Sequence, residues 1–332
     1  MSIDAERPVR WGFLGAGGIA ATVAADLART PGNELVAVAA RDGERAHRFA
    51  DRFGARRSYG DYAELVADPD VDVVYIATTH PGHKEQALLA IEAGKPVLIE
   101  KPVCLNAADA HAVFQAAERA GVFAMEAMWM RTNPLIRQAQ AVIRDGAVGE
   151  VRSVRAEMSL GLPFDRSHRL YDLANGGGAL LDLGIYPATF AWLFLGRPDR
   201  MQLQATLAVT GADATVAMQW QYQDGRDAQL WCSAPLPGPD RGLVQGTAGW
   251  IEFHGPFYCP QAFTLGAADG STERFDAADS AGYRPEIEEV ARCLRAGLTT
   301  SPLVPPGDTI EILSLLDEAR AELGVRYPGL ED

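Results

Sequence analysis

Three short stretches of this chain hold residue types that can do chemistry together. The first is Gly176-Gly177-Gly178-Ala179-Leu180-Leu181-Asp182-Leu183-Gly184-Ile185-Tyr186, three glycines running into a helical pattern. Asp182 and Tyr186 are four apart, so they share one helix face, and a carboxylate beside a phenol suits hydroxyl binding and proton transfer. A free tyrosine titrates near about 10, too high for a base at neutral pH, and an ammonium nearby favours the phenolate and lowers that value. The second stretch, Glu100-Lys101-Pro102, offers such an ammonium at the end of an apolar strand. The carboxyl edge of an open α/β sheet is where ligands sit, and Pro102 sets the direction in which the chain leaves it. The third is Gly15-Ala16-Gly17-Gly18-Ile19-Ala20, directly after the strand-like Val9–Leu14. This is the glycine pattern of a dinucleotide-binding first turn. Gly15 permits the turn, Gly17 lets the backbone approach a pyrophosphate, and the helix that follows turns its positive end to the anion. Each stretch also has a plainer reading: a structural turn for the glycine loop, a surface turn for E-K-P, and a packing tyrosine before Pro187.

The cofactor itself leaves a trace at the end of the second strand. An NAD-selective site places an Asp or Glu there for the ribose 2′-hydroxyl. Here the strand LVAVAA runs into Arg41-Asp42, with Arg45 one turn on. A guanidinium at this place can fork onto a 2′-phosphate, which favours NADP(H) over NAD(H), although Arg41 and Asp42 also read as a solvated helix start and Asp42 is an awkward neighbour for a phosphate.

These residues need a scaffold, and the pattern of the chain supplies one. Apolar runs at Val9–Leu14, Leu35–Ala40, Val71–Ala77, Pro96–Ile99 and Val122–Met125 alternate with helical stretches at 19–29, 44–53, 84–93 and 107–120. Such alternation predicts a doubly wound parallel sheet, a Rossmann domain, over 1–126. The texture then changes: a helix near 135–144, a strand over 150–160, consecutive short strands from Met201 to Phe275, and two closing helices at 286–296 and 309–323. This predicts an α+β domain over 127–332 with an open, mainly antiparallel sheet, for substrate and dimer contacts, its last helix packing back on the first domain. An open sheet face wants a cover, and a second copy of the chain is the simplest, giving a homodimer through this sheet.

Composition bounds the partners. At 332 residues, 48% hydrophobic and 22% charged, the chain reads as an ordinary globular protein of two domains. A net charge of −14 argues against general binding to nucleic acid or to acidic membrane surfaces. No signal-peptide core is expected in MSIDAERPVR, and no apolar run is expected to reach the roughly 18 residues of a membrane span. Cys104, Cys232, Cys259 and Cys293 show no metal spacing, which predicts reduced cysteines in a cytoplasmic protein. His80 and His83 are three apart but lack a carboxylate or thiolate cluster, and His47, His111, His168 and His254 are isolated, so a metal-independent protein is expected.

The motifs GAGGIA, VAVAARD, TTHPGH, AGKPVLIEKP, MEAMWMR and GGGALLDLGIYP, in that order, resemble the glucose–fructose oxidoreductase/inositol dehydrogenase (Gfo/Idh/MocA) family. The resemblance extends over nearly the whole chain. E-K-P with G-G-G-A-L-L-D-x-G-I-Y points to its dihydrodiol and D-xylose dehydrogenase branch, since many relatives carry His where Tyr186 stands. The resemblance implies that Lys101 lies at the nicotinamide, that Asp182 is the acid and Tyr186 the proton-transferring residue, and that Arg152 is on the substrate side. It places Gly15, Gly17, Gly18, Ile19, Arg41, Arg45, Thr78, His80, His83, Glu100, Trp129 and Arg131 along the cofactor. His83 has a positioning role only, and Trp129 and Arg131 read equally as core packing plus an ion pair. A further arginine of that branch falls at Thr206, which is not a cation. The implied activity is hydride transfer between NADP and a small sugar or vicinal diol. Reduction of a keto-sugar of the 1,5-anhydrofructose type, or a non-catalytic NADP-binding regulator, are the alternatives.

Overall fold

A computed structural model describes residues 7–278 and 282–330. In chain order the elements are β1 (Val9–Leu14), α1 (Gly18–Leu27), β2 (Asn33–Ala39), α2 (Gly43–Phe53), β3 (Arg57–Tyr59), α3 (Tyr62–Val66), β4 (Val73–Ile76), α4 (His83–Glu92), β5 (Val97–Glu100), α5 (Ala107–Ala120) and β6 (Ala124–Ala127). There follow α6 (Pro134–Arg144), β7 (Val151–Ser159), α7 (Ile185–Leu195), β8 (Arg200–Leu207), β9 (Asp213–Gln221), β10 (Asp227–Ser233), β11 (Gly242–Gly246), β12 (Gly249–His254), β13 (Ala262–Ala267), β14 (Thr272–Asp276), α8 (Arg284–Arg295) and α9 (Pro306–Leu323). The short β3 and α3 escape a periodicity reading because neither is long enough to show a repeat.

The chain divides into two compact units. One comprises Met1–Thr132 with Gly282–Ile310, the other Asn133–Ala281 with Glu311–Asp332. In the first unit all six strands are parallel in the order β3-β2-β1-β4-β5-β6. The order reverses between β1 and β4, the switch point beyond whose carboxyl ends a ligand crevice opens. β4, β5 and β6 are buried at every position, the mark of a sheet covered on both faces. The segment 282–310 completes this unit. α8 packs on α1 and on the turn Trp129–Thr132, and the N–H of Ala124 on edge strand β6 donates to the Thr299 carbonyl.

The second unit is built on an eight-stranded sheet, β14-β13-β12-β11-β7-β10-β9-β8, antiparallel throughout except for the β7–β10 pair. α7 lies on β7 and β10, and the strands alternate accordingly: Val154, Ala156, Val216, Met218, Trp220 and Leu230 are buried, whereas Arg155, Gln202, Gln204 and Gln229 are exposed. Phe190 on α7 meets Phe194, Phe253 and Phe257 edge-on, with centroids 5.0, 5.2 and 5.0 Å away. Contrary to the expectation that no run reaches the length of a membrane span, Leu173–Leu195 does so by length and composition. Of its most apolar window 83% is buried in this fold, so its apolarity is explained by helix-on-sheet packing.

Phe190 is wholly buried at the centre of that aromatic cluster. Phe190→Ala is expected to lower unfolding free energy by about 3–5 kcal/mol in urea titration. A loss under about 1 kcal/mol would show that the cluster repacks around the cavity.

Candidate active site

The glycine loop between β1 and α1 is shaped as the sequence requires. Gly15 sits at φ +107°, and a Cβ there would lie 2.6 Å from the Ala77 carbonyl oxygen, so only glycine fits. At Gly18 a Cβ would meet nothing within 4 Å, and α1 has no side-chain cap at Gly17. The first turn of α1 thus keeps its N–H groups and positive end for an anion, with Ile19 following and Ala20 buried. At the end of β2, Asp42 accepts the N–H groups of Glu44 and Arg45 at 3.0 and 3.2 Å as the cap of α2. Both bonds fall on Oδ1 of the carboxylate. Arg45 Nε donates to the Ala16 carbonyl at 3.0 Å, which lays the guanidinium along the loop, and Arg41 is exposed beside it.

The carboxyl ends of β4, β5 and β6 are tied together by buried polar contacts. The Thr78 hydroxyl donates to Gln86 Oε1 at 2.6 Å. His83 is fully buried, with Nδ1 2.9 Å from the Pro102 carbonyl and Nε2 3.3 Å from that of Thr78. Burial holds its pKa below the ordinary histidine value, which favours the neutral ring. His83 therefore joins the turn after β4 to the Lys101-Pro102 turn after β5. His80 lies edge-on to it, 5.7 Å between centroids. Among the described residues no group of three or more His, Cys, Asp or Glu could hold a metal.

Glu100 takes the Tyr75 hydroxyl on one oxygen at 2.5 Å and the Lys101 N–H on the other at 3.1 Å, bracing the backbone of Lys101 from inside the core. The Lys101-Pro102 peptide is cis. Glu126, not singled out from the sequence, accepts the Val103 N–H at 3.1 Å and the Thr309 hydroxyl at 3.0 Å. Burial raises its pKa, and the charges of Arg131 and Lys101 act against that rise. Trp129 stacks on Tyr283 with centroids 4.6 Å apart. Arg131 pairs with Asp308 at 2.6 Å, yet its Nε and second terminal nitrogen are buried with no partner. The ion pair is present, and two donors are left over that a ligand's polar group would satisfy.

In the second unit Asp182 and Tyr186 are 3% and 4% exposed. Asp182 does not stand on a regular α-helix, whereas Tyr186 lies in the first turn of α7. Leu180–Gly184 is wound with the wide i→i+5 turn, and α7 continues it from Ile185. Such insertions recur at functional sites because they re-aim side chains. Asp182 accepts a hydrogen bond from Arg169 at 3.0 Å, and the Tyr186 ring lies 5.1 Å from that of Tyr258. Neither partner follows from spacing: Arg169 lies in the irregular stretch 160–172 and Tyr258 beyond β12. A Cβ on Gly177 would come within 2.5 Å of the Arg169 carbonyl, so glycine there lets the Arg169 turn sit close. Arg152 is placed elsewhere. Its guanidinium bonds Glu150 at 3.0 Å and the Asp224 carbonyl at 2.6 Å, and neither contact involves Asp182 or Tyr186.

Residues 9–128 match the family model described as oxidoreductase family, NAD-binding Rossmann fold, and residues 136–252 match that of the GFO/IDH/MocA C-terminal domain. The chain belongs to the Gfo/Idh/MocA oxidoreductase family. It is 37% identical to trans-1,2-dihydrobenzene-1,2-diol dehydrogenase of Mus musculus, over 96% of this chain and 98% of the relative, and 36% identical to that of Bos taurus over the same shares. A 3-ketoreductase from Actinomadura kijaniata, solved with NADP and TDP-benzene, is 28% identical with a TM-score of 0.83, covering 95% of this chain and 98% of that one. An aldose-aldose oxidoreductase from Caulobacter crescentus, at 23% identity, shares the fold with a TM-score of 0.86 over 96% and 98% of the two chains. The protein is thus an NAD(P)-dependent oxidoreductase of the dehydrogenase type.

Because Gly15 admits no side chain, Gly15→Ala should weaken NADPH binding by at least about tenfold in a fluorescence titration. Unchanged affinity would show that the loop does not carry the dinucleotide.

Proposed function

We propose that this protein is an NADP-dependent dehydrogenase that moves a hydride between a hydroxyl-bearing carbon of a small sugar or vicinal diol and the nicotinamide. The observation that carries the reading is the buried pair on one helical segment, Asp182 held by Arg169 with Tyr186 one turn on. Bound nicotinamide supplies the hydride acceptor. Tyr186 takes the substrate hydroxyl proton, Lys101 supplies the ammonium that favours the phenolate, and Asp182 receives a neighbouring hydroxyl.

Several features support the cofactor assignment. Gly15, Gly17, Gly18 and Ile19 form the cradle for the pyrophosphate. Asp42 is consumed as a cap while Arg41 and Arg45 are exposed, which favours a 2′-phosphate and therefore NADP over NAD. Thr78, His80, His83 and Glu100 line or brace the strand ends, and Trp129 and the spare donors of Arg131 suit the remaining cofactor contacts. Arg152 is kept as a substrate-side residue only if its contacts with Glu150 and Asp224 open. The same residues run in reverse give a keto-sugar reductase, a reading that the related 3-ketoreductase favours.

We also propose a homodimer. The exposed face of the eight-stranded sheet bears a hollow of about 720 Å³ whose lining includes Gln202, Gln219, Gln229, Trp231 and Arg241, a mixture of amide, aromatic and charge that a second copy can pair. Cys104, Cys232 and Cys293 are buried free thiols, which suits the cytoplasm.

With NADP⁺ and a panel of D-xylose, D-glucose, inositol and cyclic trans-diols, reduced-nicotinamide absorbance should rise for at least one substrate. Tyr186→Phe and Lys101→Ala should each lower kcat by about a hundredfold or more while NADPH still binds. Rates near wild type in both variants would remove the assignment. Light scattering at micromolar concentration should give twice the chain mass, and a monodisperse monomer would refute the dimer.

A further inference from the structure

The glycine run ends at Gly178, whose φ of +128° belongs to the region that favours glycine. A Cβ there would lie 2.3 Å from Oδ1 of Asp213, so any side chain at 178 evicts that carboxylate. Asp213 opens β9 and is 1% exposed. Its Oδ2 accepts the N–H of Leu180 at 2.5 Å, and the N–H of Ala179 lies near enough to favour the same charged carboxylate. These are unpaired donors at the start of the helical segment, and Ala179 itself offers no side-chain cap. Gly178 is thus bare of a side chain because a carboxylate 35 residues later in the chain occupies the space beside it.

We propose that Asp213 is a positioning residue for the reaction: its carboxylate clamps the first turn of the segment carrying Asp182 and Tyr186, and so sets where those two side chains stand. The proposal rests on the roles given to Asp182 and Tyr186 above. An ionised acceptor holds two N–H groups at a helix start more firmly than a neutral one, through charge-assisted bonds and the helix dipole. The wide turn Leu180–Gly184 begins where the clamp ends, so the position of the first N–H groups propagates directly to Asp182.

The surroundings make this charge costly. Cys232 of β10 faces the carboxylate as a buried thiol, Tyr327 stands near it beyond α9, and Arg320 of α9 supplies positive charge while bonded to Asp317 and lying over the Tyr327 ring. Burial outweighs the N–H bonds and lifts Asp213 to about 7. An acid whose folded pKa lies above its unfolded value contributes stability at low pH and loses it as pH rises through the folded pKa. The loss builds up from the ordinary carboxylate value and is complete by about 7, so Asp213 burdens folding at neutral pH, which a group kept for stability alone does not explain.

The test is Asp213→Asn, which keeps the shape and one acceptor but removes the charge. At about pH 8 its thermal midpoint should equal or exceed that of wild type. Its kcat should fall by about tenfold to a hundredfold with KM for NADP⁺ within about twofold, as expected when a reacting group is misplaced without loss of binding. The wild-type kcat inflection near 7 should vanish, and amide exchange at Ala179 and Leu180 should speed up while the rest of the sheet is unchanged. Unaltered kcat in the variant, with or without faster exchange, overturns the positioning role. If the variant does not fold, wild type alone decides: protection at 179–180, corrected for intrinsic exchange, should weaken as pH rises toward about 7, because opening frees the carboxylate to ionise in water, and a flat profile overturns the clamp. If wild type turns over no substrate, the proposed function fails, and the exchange measurement still judges the clamp separately.

Discussion

Strands buried on both faces leave no room for polar side chains except at their ends, and the first unit is organised by that constraint. Trp11, Phe13, Leu14, Val73, Val74, Ile76, Val97, Leu98, Ile99 and Met125 are wholly shielded from solvent. Polarity emerges where the strands stop: Gly15 after β1, Thr78 after β4 and Glu100 closing β5, with Glu126 one residue short of the end of β6. Groups placed half in the core must be satisfied there, since an orphaned buried polar atom costs about 1–3 kcal/mol. Hence Tyr75 bonds Glu100, Glu100 bonds the Lys101 N–H, Glu126 bonds Val103 and Thr309, and His83 bonds Pro102. The network that avoids the penalty also fixes the turn presenting Lys101. Glu286 shows the limit of the device. Both of its oxygens are buried without a partner, and burial near Glu100 and Glu126 raises its pKa well above the carboxylate range, which keeps it a neutral acid.

In the second unit the same requirement acts through a helix laid on one face of a sheet. The helix must be apolar to cover the sheet, so Leu173–Leu195 has the composition of a membrane span while lying in a core. Asp182 is the exception on that segment, and Arg169 answers it. The guanidinium is half-exposed, so the pair adds little stability and its effect is chiefly orientation.

Much of this was legible in the sequence because it is local. The parallel strands show as apolar runs, the glycine loop shows its turn residues, and Asp182 and Tyr186 show their spacing. The contacts that complete the site are not local. Asp308 is 177 residues from Arg131, Thr309 is 183 from Glu126, and Asp213 is 33 from Leu180. No periodicity announces such partners. The wide turn at Leu180–Gly184 was hidden for a related reason: an i→i+5 turn and an α-turn share the same apolar composition. Arg152, transferred by resemblance, is engaged with Glu150 and Asp224, contacts that no spacing announces either.

The central claim is that this chain moves a hydride from a substrate carbon to NADP⁺. A substrate deuterated at the reacting carbon, incubated with the protein and NADP⁺, tests it most directly by mass spectrometry of the recovered cofactor. Reduced NADP should carry one deuterium on the nicotinamide ring. Oxidised substrate without label in the cofactor, or no reduced cofactor from any sugar or diol offered, would contradict it.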